Sequence, residues 1–161
     1  MSLWRPADST GVPHGLSGDR RRAVVLAVLA CAFLGRVAGQ LAVVLAAPGW
    51  LPPMAEWYSG LLPYPWLLPT QVAILVLQAR VSRDLWRGQG LLARRHPRFG
   101  GWLRAFSVAY FGVMALRYVV TMALFPERRW LGGAIPIVFH WVLALYLFIW
   151  SGFHRQSSGA A

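Results

Sequence analysis

Four apolar stretches constrain this chain more than any other feature. They lie at 23–47, 66–79, 105–125 and 134–153 and are separated by segments rich in arginine, proline and glycine. A helix of about 20 apolar residues crosses the roughly 30 Å hydrocarbon layer of a bilayer. We therefore predict an all-α integral membrane protein, built as a four-helix up-down-up-down bundle.

The intervening segments define the domain organisation. Prolines, glycines and charges break up residues 1–22, so we expect a disordered N-terminal tail there. The four-helix domain then covers 23–153, with an aromatic and proline-rich outer loop at 48–65 and a basic loop at 80–104. A short tail, 154–161, ends the chain.

The cationic residues predict orientation. All sixteen are arginine, a usage that we attribute to a GC-rich bacterial genome. Twelve fall on one side of the predicted bundle, in the two tails and the basic loop, whereas Arg128 and Arg129 fall on the other. The positive-inside rule then puts both termini in the cytoplasm, and we expect a multi-pass protein of the bacterial inner membrane.

A lipoprotein signal is an alternative explanation of the first stretch. Arg20 to Arg22 precede an apolar run, and Val28 to Ala30 lead into Cys31, the single cysteine of the chain. The run continues to Ala47 instead of changing to a polar tether. We therefore expect a retained helix rather than a cleaved signal.

Two arginines, Arg36 and Arg117, lie inside predicted spans. An arginine at the bilayer centre costs about 2.5–3.5 kcal/mol on insertion scales, so both need polar partners within the bundle. The residues that could converge in the middle and outer half of the bundle define a hypothetical ligand pocket: Arg36, Gln40, Gln71, Arg117, Tyr118 and His140, with Glu56 reaching in from the outer loop.

No aspartate or glutamate falls within a predicted span. The counter-charge must then come from an outer-loop acid such as Glu56, from backbone carbonyls or from a bound anion. A lipid headgroup, a quinone or a small carboxylate fits such a pocket. We favour the reading in which the two arginines are structural and are solvated by glutamines, tyrosine and water, over the reading in which they bind a ligand.

His140 raises the question of a haem, since histidines inside membranes ligate haem iron. A second axial ligand is missing: His154 lies fourteen residues further along the same predicted helix, about 21 Å away. We expect no metal site. No hydrolase, P-loop or dinucleotide-binding motif occurs, so an enzyme is not predicted.

Gly35 and Gly39 form a GxxxG pair in the first stretch. Such pairs permit close approach of two helix backbones, so we predict a packing face at these glycines. We favour packing within the bundle over packing against a second copy of the chain.

The basic loop 80–104 predicts contact with anionic lipids of the inner leaflet rather than with nucleic acid. Our leading expectation is a small non-catalytic protein that acts as an accessory or assembly subunit, with a membrane-protein partner or as a homo-oligomer. The alternative is a module that binds quinone, lipid or haem in the arginine and histidine pocket. A transporter comes third in our order of readings. Four spans without internal symmetry would have to oligomerise to form a transport pathway, which makes this reading the least favoured.

Overall fold

The computed structural model describes residues 14–57, 64–125 and 134–156. It is all-α within these ranges, as the sequence predicts. The helices are α1 (His14–Ala46), the single-turn α2 (Met54–Trp57), α3 (Tyr64–Arg87), α4 (Pro97–Leu124) and α5 (Ala134–Arg155). The expected disorder over 1–13, the middle of the outer loop and the end of the C-terminal tail lie outside the described residues.

Three helical segments are long and apolar enough to cross a membrane: Gly18–Ala46, Pro97–Leu124 and Ala134–Arg155. These three segments correspond to the predicted spans 23–47, 105–125 and 134–153 in helical structure, length and apolar composition. The helix α3 is not among them: Pro69, Gln71 and Gln78 interrupt its apolar stretch, and Arg80, Arg83, Asp84 and Arg87 follow it. The apolar stretch before these charges, 66–79, rises only about 21 Å as a helix, which is less than the hydrocarbon thickness.

The helices extend beyond the apolar stretches. The first begins at His14, so residues 14–22, which we expected to be disordered, are helical. Both α3 and α4 run into the predicted basic loop, which shortens the link between them to 88–96. Hydropathy identifies only the apolar part of a helix. Arginine is a good helix former, so a helix can continue through the arginine-rich segments that flank its apolar part.

The helices α1 and α5 are central. The helix α3 packs on α1, α4 packs on α5, and no backbone contact joins α3 to α4 among the described elements. One core cluster joins the N-terminal part of α1 to the C-terminal parts of α3 and α5; its buried members are Ala23, Leu26, Val81, Leu85, Tyr146, Trp150 and Phe153. The Tyr146 hydroxyl donates to the Gln78 carbonyl at 2.9 Å and so ties α5 to α3.

Glycine ends α3. Gly88 has φ +63°, its N–H donates to the Leu85 carbonyl at 3.3 Å, and the N–H of Gln89 donates to the Asp84 carbonyl at 3.2 Å. This is a Schellman motif, which needs the left-handed conformation that glycine adopts without strain. The Asp84 carboxylate then accepts from the N–H of Leu92 at 3.4 Å and folds the link back on the helix end.

The link leads into α4 through a contact with α5. The N–H of His96 donates to Nδ1 of His154 at 3.4 Å, and Pro97 follows at the first helical position. Gly100 lies against α5 so closely that an added Cβ would be 2.7 Å from the Cβ of His154. The start of α4 is therefore fixed on the last turn of α5.

Candidate functional site

A small cavity of about 190 Å³ lies between α1, α3, α4 and α5. Apolar side chains, among them Phe33, Ile74 and Leu143, form much of its wall. Its polar lining residues come from all four helices and are Arg36, Thr70, Gln71, Tyr110 and His140. The structure thus brings together three residues of the predicted pocket, Arg36, Gln71 and His140.

Arg36 is 7% exposed and has few partners for a buried charge. Its Nη2 donates to the backbone carbonyl of Trp57 at 3.2 Å, and its guanidinium lies 6.0 Å from the ring centroid of Phe139. Its Nε is buried and has no hydrogen-bond partner among the described residues. The Trp57 carbonyl therefore compensates part of the Arg36 charge, and the N–H at Nε of Arg36 is left without an acceptor among the described residues.

Trp57 is held in place from two sides. Its Nε1 donates to the Pro52 carbonyl at 3.0 Å, which closes the turn around α2. Its indole covers Gly39 of α1, where an added Cβ would lie 2.7 Å from Cη2 of the ring. The glycine thus admits the indole, and the indole positions the carbonyl that accepts from Arg36.

Gln40 and Gln71 form a buried amide pair, being 1% and 4% exposed. Nε2 of Gln71 donates to Oε1 of Gln40 at 3.2 Å, which joins α3 to α1. The other two amide atoms, Nε2 of Gln40 and Oε1 of Gln71, have no partner in the described part of the chain. Rotating both amides exchanges these roles but still leaves one donor and one acceptor free.

His140 presents an acceptor to the cavity. Its Nδ1 is hydrogen-bonded to the carbonyl of Pro136, one helical turn earlier. A carbonyl only accepts, so Nδ1 carries a proton, and in the neutral imidazole the lone pair of Nε2 is available. The Tyr110 ring lies beside it, with 5.9 Å between the ring centroids.

Two further residues of the predicted pocket, Arg117 and Tyr118, do not line the cavity, and neither does Gln40, which is hydrogen-bonded to the lining residue Gln71. Arg117 lies seven residues beyond Tyr110, roughly 10 Å further along the α4 axis; it is half-buried and forms no hydrogen bond or ion pair with the residues that the structure describes. Tyr118 instead packs on Trp141, with 5.8 Å between ring centroids. The side chain of Glu56 lies outside the described residues.

The two glycines of the GxxxG pair have different surroundings. Gly39 receives the indole of Trp57, as described above. Gly35 is exposed, and an added Cβ there would meet no atom within 4 Å. Within the described chain, the pair is therefore not a continuous helix–helix contact: one glycine admits a side chain and the other faces outward.

Sequence reasoning omitted Tyr110, Thr70 and the Trp57 carbonyl from the site. Tyr110 carried a usable signal, because it precedes Arg117 by seven residues and so shares its helix face. Thr70 directly precedes Gln71 and bonds its own helix, since its hydroxyl donates to the Trp66 carbonyl at 2.8 Å. A backbone carbonyl carries no signal in the sequence at all.

The cavity is a small, positively charged pocket. It offers a guanidinium with a free donor, a free amide atom and a histidine lone pair, and none of the described residues that line it is an acid. No cluster of three or more potential metal ligands occurs in the described ranges. Comparisons with protein-family models, with curated proteins and with solved structures found no match.

Proposed function

We propose that this chain is a small multi-pass membrane protein that binds a lipid-soluble carbonyl compound, such as a quinone, or a small carboxylate beside Arg36. The observation that carries the proposal is the buried guanidinium: it has one described hydrogen-bond acceptor, the Trp57 carbonyl, and a free Nε. An unpaired buried donor costs about 1–3 kcal/mol, and more when it is charged. A ligand oxygen at this position removes that cost.

The size of the cavity limits the ligand. Pockets for drug-sized molecules measure about 300–1,000 Å³, whereas this one measures about 190 Å³. A single ring or a carboxylate group fits, with any tail left outside. A haem macrocycle does not fit without movement of the helices, so we do not propose haem.

The arrangement of the helices supports a ligand that arrives through the bilayer. Residues of α3 and α4, among them Thr70 and Tyr110, line the cavity, yet these two helices make no backbone contact with each other. The seam between them is therefore the side that no described helix closes. A ligand with an apolar tail would place its polar head beside Arg36 and leave its tail in this seam.

We further propose that α3 crosses the membrane as a fourth span, which gives an up-down-up-down bundle with both termini in the cytoplasm of a bacterium. The contacts of the N-terminal part of α1 with the C-terminal parts of α3 and α5 support this arrangement. The buried Gln71 and Gln78 turn the polar face of α3 inward, at 4% and 2% exposure. Twelve arginines on one side of the bundle support the orientation.

An accessory or assembly role, our leading expectation from the sequence, stays a prediction. It requires a partner, and α4, which packs only on α5 among the described elements, has most of its surface free for lipid or protein. Free surface is ordinary for a helix in lipid, so we place the ligand-binding role first. A partner that co-purifies in a fixed ratio would favour the accessory role.

The experiment is a binding measurement on the purified chain in mild detergent. The probes are a benzoquinone with a decyl tail and, separately, benzoate; binding is followed by native mass spectrometry and by quenching of tryptophan fluorescence. We expect a one-to-one complex with at least one probe. Arg36→Met should fold and lose the complex, because the donor to the ligand oxygen is removed.

Arg117→Met is the matched control, since it removes the other arginine of the spans without touching the cavity lining. It should keep the complex. If neither probe binds the unaltered chain, or if both variants bind equally well, the proposed site is wrong. If Arg36→Met fails to fold, the milder His140→Phe and Gln71→Met variants test whether probe binding depends on the cavity.

A further inference from the structure

A second cavity, of about 270 Å³, lies where the N-terminal part of α1, the end of α3 and the link 88–96 meet. It is separate from the Arg36 cavity and shares no lining residue with it. Its apolar wall includes Leu85 and Phe153, which belong to the core cluster. Its charged lining residues are Asp19, Arg20, Arg87 and Arg95.

Arg95 is engaged by partners within the protein. Its Nη2 donates to Oδ2 of Asp19 at 2.7 Å, and its Nη1 donates to the backbone carbonyl of Gln156 at 3.1 Å. Its guanidinium also lies 4.9 Å from the ring centroid of Phe153. Arg95 therefore builds the wall of the cavity and joins the link 88–96 to α1 and to the end of α5.

Arg20 and Arg87, unlike Arg95, have no such partners in the described part of the chain. Both are exposed, and neither forms a hydrogen bond or ion pair with any residue in the described ranges. The negative charge of Asp19 is already matched by Arg95 and by Arg22, whose Nη1 lies 3.6 Å from Oδ1 of Asp19. Three arginines against one aspartate leave the lining with two positive charges.

The surroundings of the cavity resemble a membrane–water interface. Trp86, which also lines the cavity, is 53% exposed, and Leu91 in the adjoining link is 76% exposed. Tryptophan is enriched at the level of lipid headgroups, where its ring meets apolar chains and its N–H meets water. Exposed apolar and cationic side chains thus occur together at this end of the chain.

We propose that this cavity binds the phosphate group of an anionic phospholipid, with Arg20 and Arg87 as its donors. Guanidinium groups donate to phosphate oxygens in bidentate fashion, and basic pockets between helices on the cytoplasmic side of a membrane hold anionic headgroups. The apolar wall formed by Leu85 and Phe153 accommodates the glycerol and the start of the acyl chains. Free phosphate offers the same oxygens but gains nothing from that wall.

The test uses the delipidated full chain in detergent and native mass spectrometry. Phosphatidylglycerol, phosphatidylcholine with the same acyl chains, and inorganic phosphate are added in separate arms. We expect a one-to-one adduct with phosphatidylglycerol that excess inorganic phosphate does not displace. Arg20→Gln with Arg87→Gln should weaken this adduct about 20- to 30-fold, from the loss of two basic contacts at a lipid surface.

Arg21→Gln with Arg83→Gln is the matched control. These residues are also exposed, lie on the same two helices and change the net charge equally, but they do not line the cavity. The control should bind phosphatidylglycerol almost as tightly as the unaltered chain. If the cavity double variant does not fold, Arg87→Gln alone is compared with Arg83→Gln.

Three results would overturn the proposal. Equal weakening in the two double variants would show that only overall charge matters. Equal binding of phosphatidylcholine would show that the anionic group is not recognised. Displacement by inorganic phosphate would assign the cavity to a soluble anion instead of a lipid. None of these results depends on whether the Arg36 cavity holds a ligand.

Discussion

Gln71 of α3 donates to Gln40 of α1 at 3.2 Å, and this buried amide pair joins the least apolar long helix to the centre of the fold. Each amide keeps one atom without a described partner. The pair therefore has two roles that experiments can separate: it joins two helices, and it contributes free polar atoms beside the Arg36 cavity.

The first prediction concerns this pair. Gln40→Met or Gln71→Met alone should lower the free energy of unfolding by about 1 kcal/mol, because each leaves the other amide buried without a partner. The double variant should lose less than the sum of the two, since both polar groups are gone. The free energy of unfolding is measured by titration with sodium dodecyl sulfate in mixed micelles, for the unaltered chain, the two single variants and the double variant. If the loss in the double variant equals the sum of the two single losses, the amides are not coupled.

The second prediction concerns the contact between Gly39 and Trp57. Gly39→Ala should destabilise the protein by about 1–3 kcal/mol, the usual cost of overpacking, because the added Cβ meets the indole at 2.7 Å. Gly35→Ala is the control, as that position is open. Thermal unfolding followed by tryptophan fluorescence should show a lower Tm for Gly39→Ala only; an equal Tm for both variants would mean that Trp57 does not pack there.

The third prediction tests how α4 begins. An added Cβ at Gly100 lies 2.7 Å from the Cβ of His154 and 3.1 Å from the Ser151 carbonyl, neither of which moves without the helix. Gly100→Ala should therefore cost about 1–3 kcal/mol. Gly101→Ala meets no atom within 4 Å and should leave the free energy of unfolding unchanged or slightly higher. The same detergent unfolding assay compares the two, and the reverse order of stability would refute the packing described for α4 and α5.

The fourth prediction concerns the Tyr146 hydroxyl, which donates to the Gln78 carbonyl at 2.9 Å in the core cluster. Tyr146→Phe should lower the free energy of unfolding by about 1–3 kcal/mol, because it removes this bond and also the contact of the hydroxyl with Ser82 Oγ at 3.4 Å. Tyr118→Phe is the control, because its hydroxyl has no hydrogen-bond partner in the part of the chain that the structure describes. Chemical unfolding curves that coincide for both variants would argue against the bond between α5 and α3.

Much of the fold could be predicted from hydropathy alone. Apolar runs located the central parts of α1, α4 and α5, because long apolar segments are helical in membranes. The helix ends could not be found in this way. Pro97 at the first position of α4 is a helix-start signal. It lies in an arginine-rich segment, however, and arginines show that a segment is outside the hydrocarbon without showing whether it is a helix or a loop.

The candidate site was predictable in part, for a geometric reason. Helical periodicity gives the face on which a residue lies, and so it brought Arg36, Gln71 and His140 into one predicted pocket. It does not give the relative depth of two helices. Arg117 shares the face of Tyr110 but lies roughly 10 Å further along α4, so the stagger of α4 against α5 decided which of the two reaches the cavity.

The shortness of the apolar part of α3 has a consequence for biogenesis. A segment of this length has little tendency to partition into lipid by itself, and the ribosome releases it only after α1. Gln40 is then already available as a partner for Gln71, so in the arrangement that we propose, with α3 as a fourth span, the earlier helix supplies the polar contact that the later one would lack in hydrocarbon. In that arrangement, a chain without α1 would leave Gln71 of α3 without its amide partner, and the order of the helices along the chain would contribute to assembly.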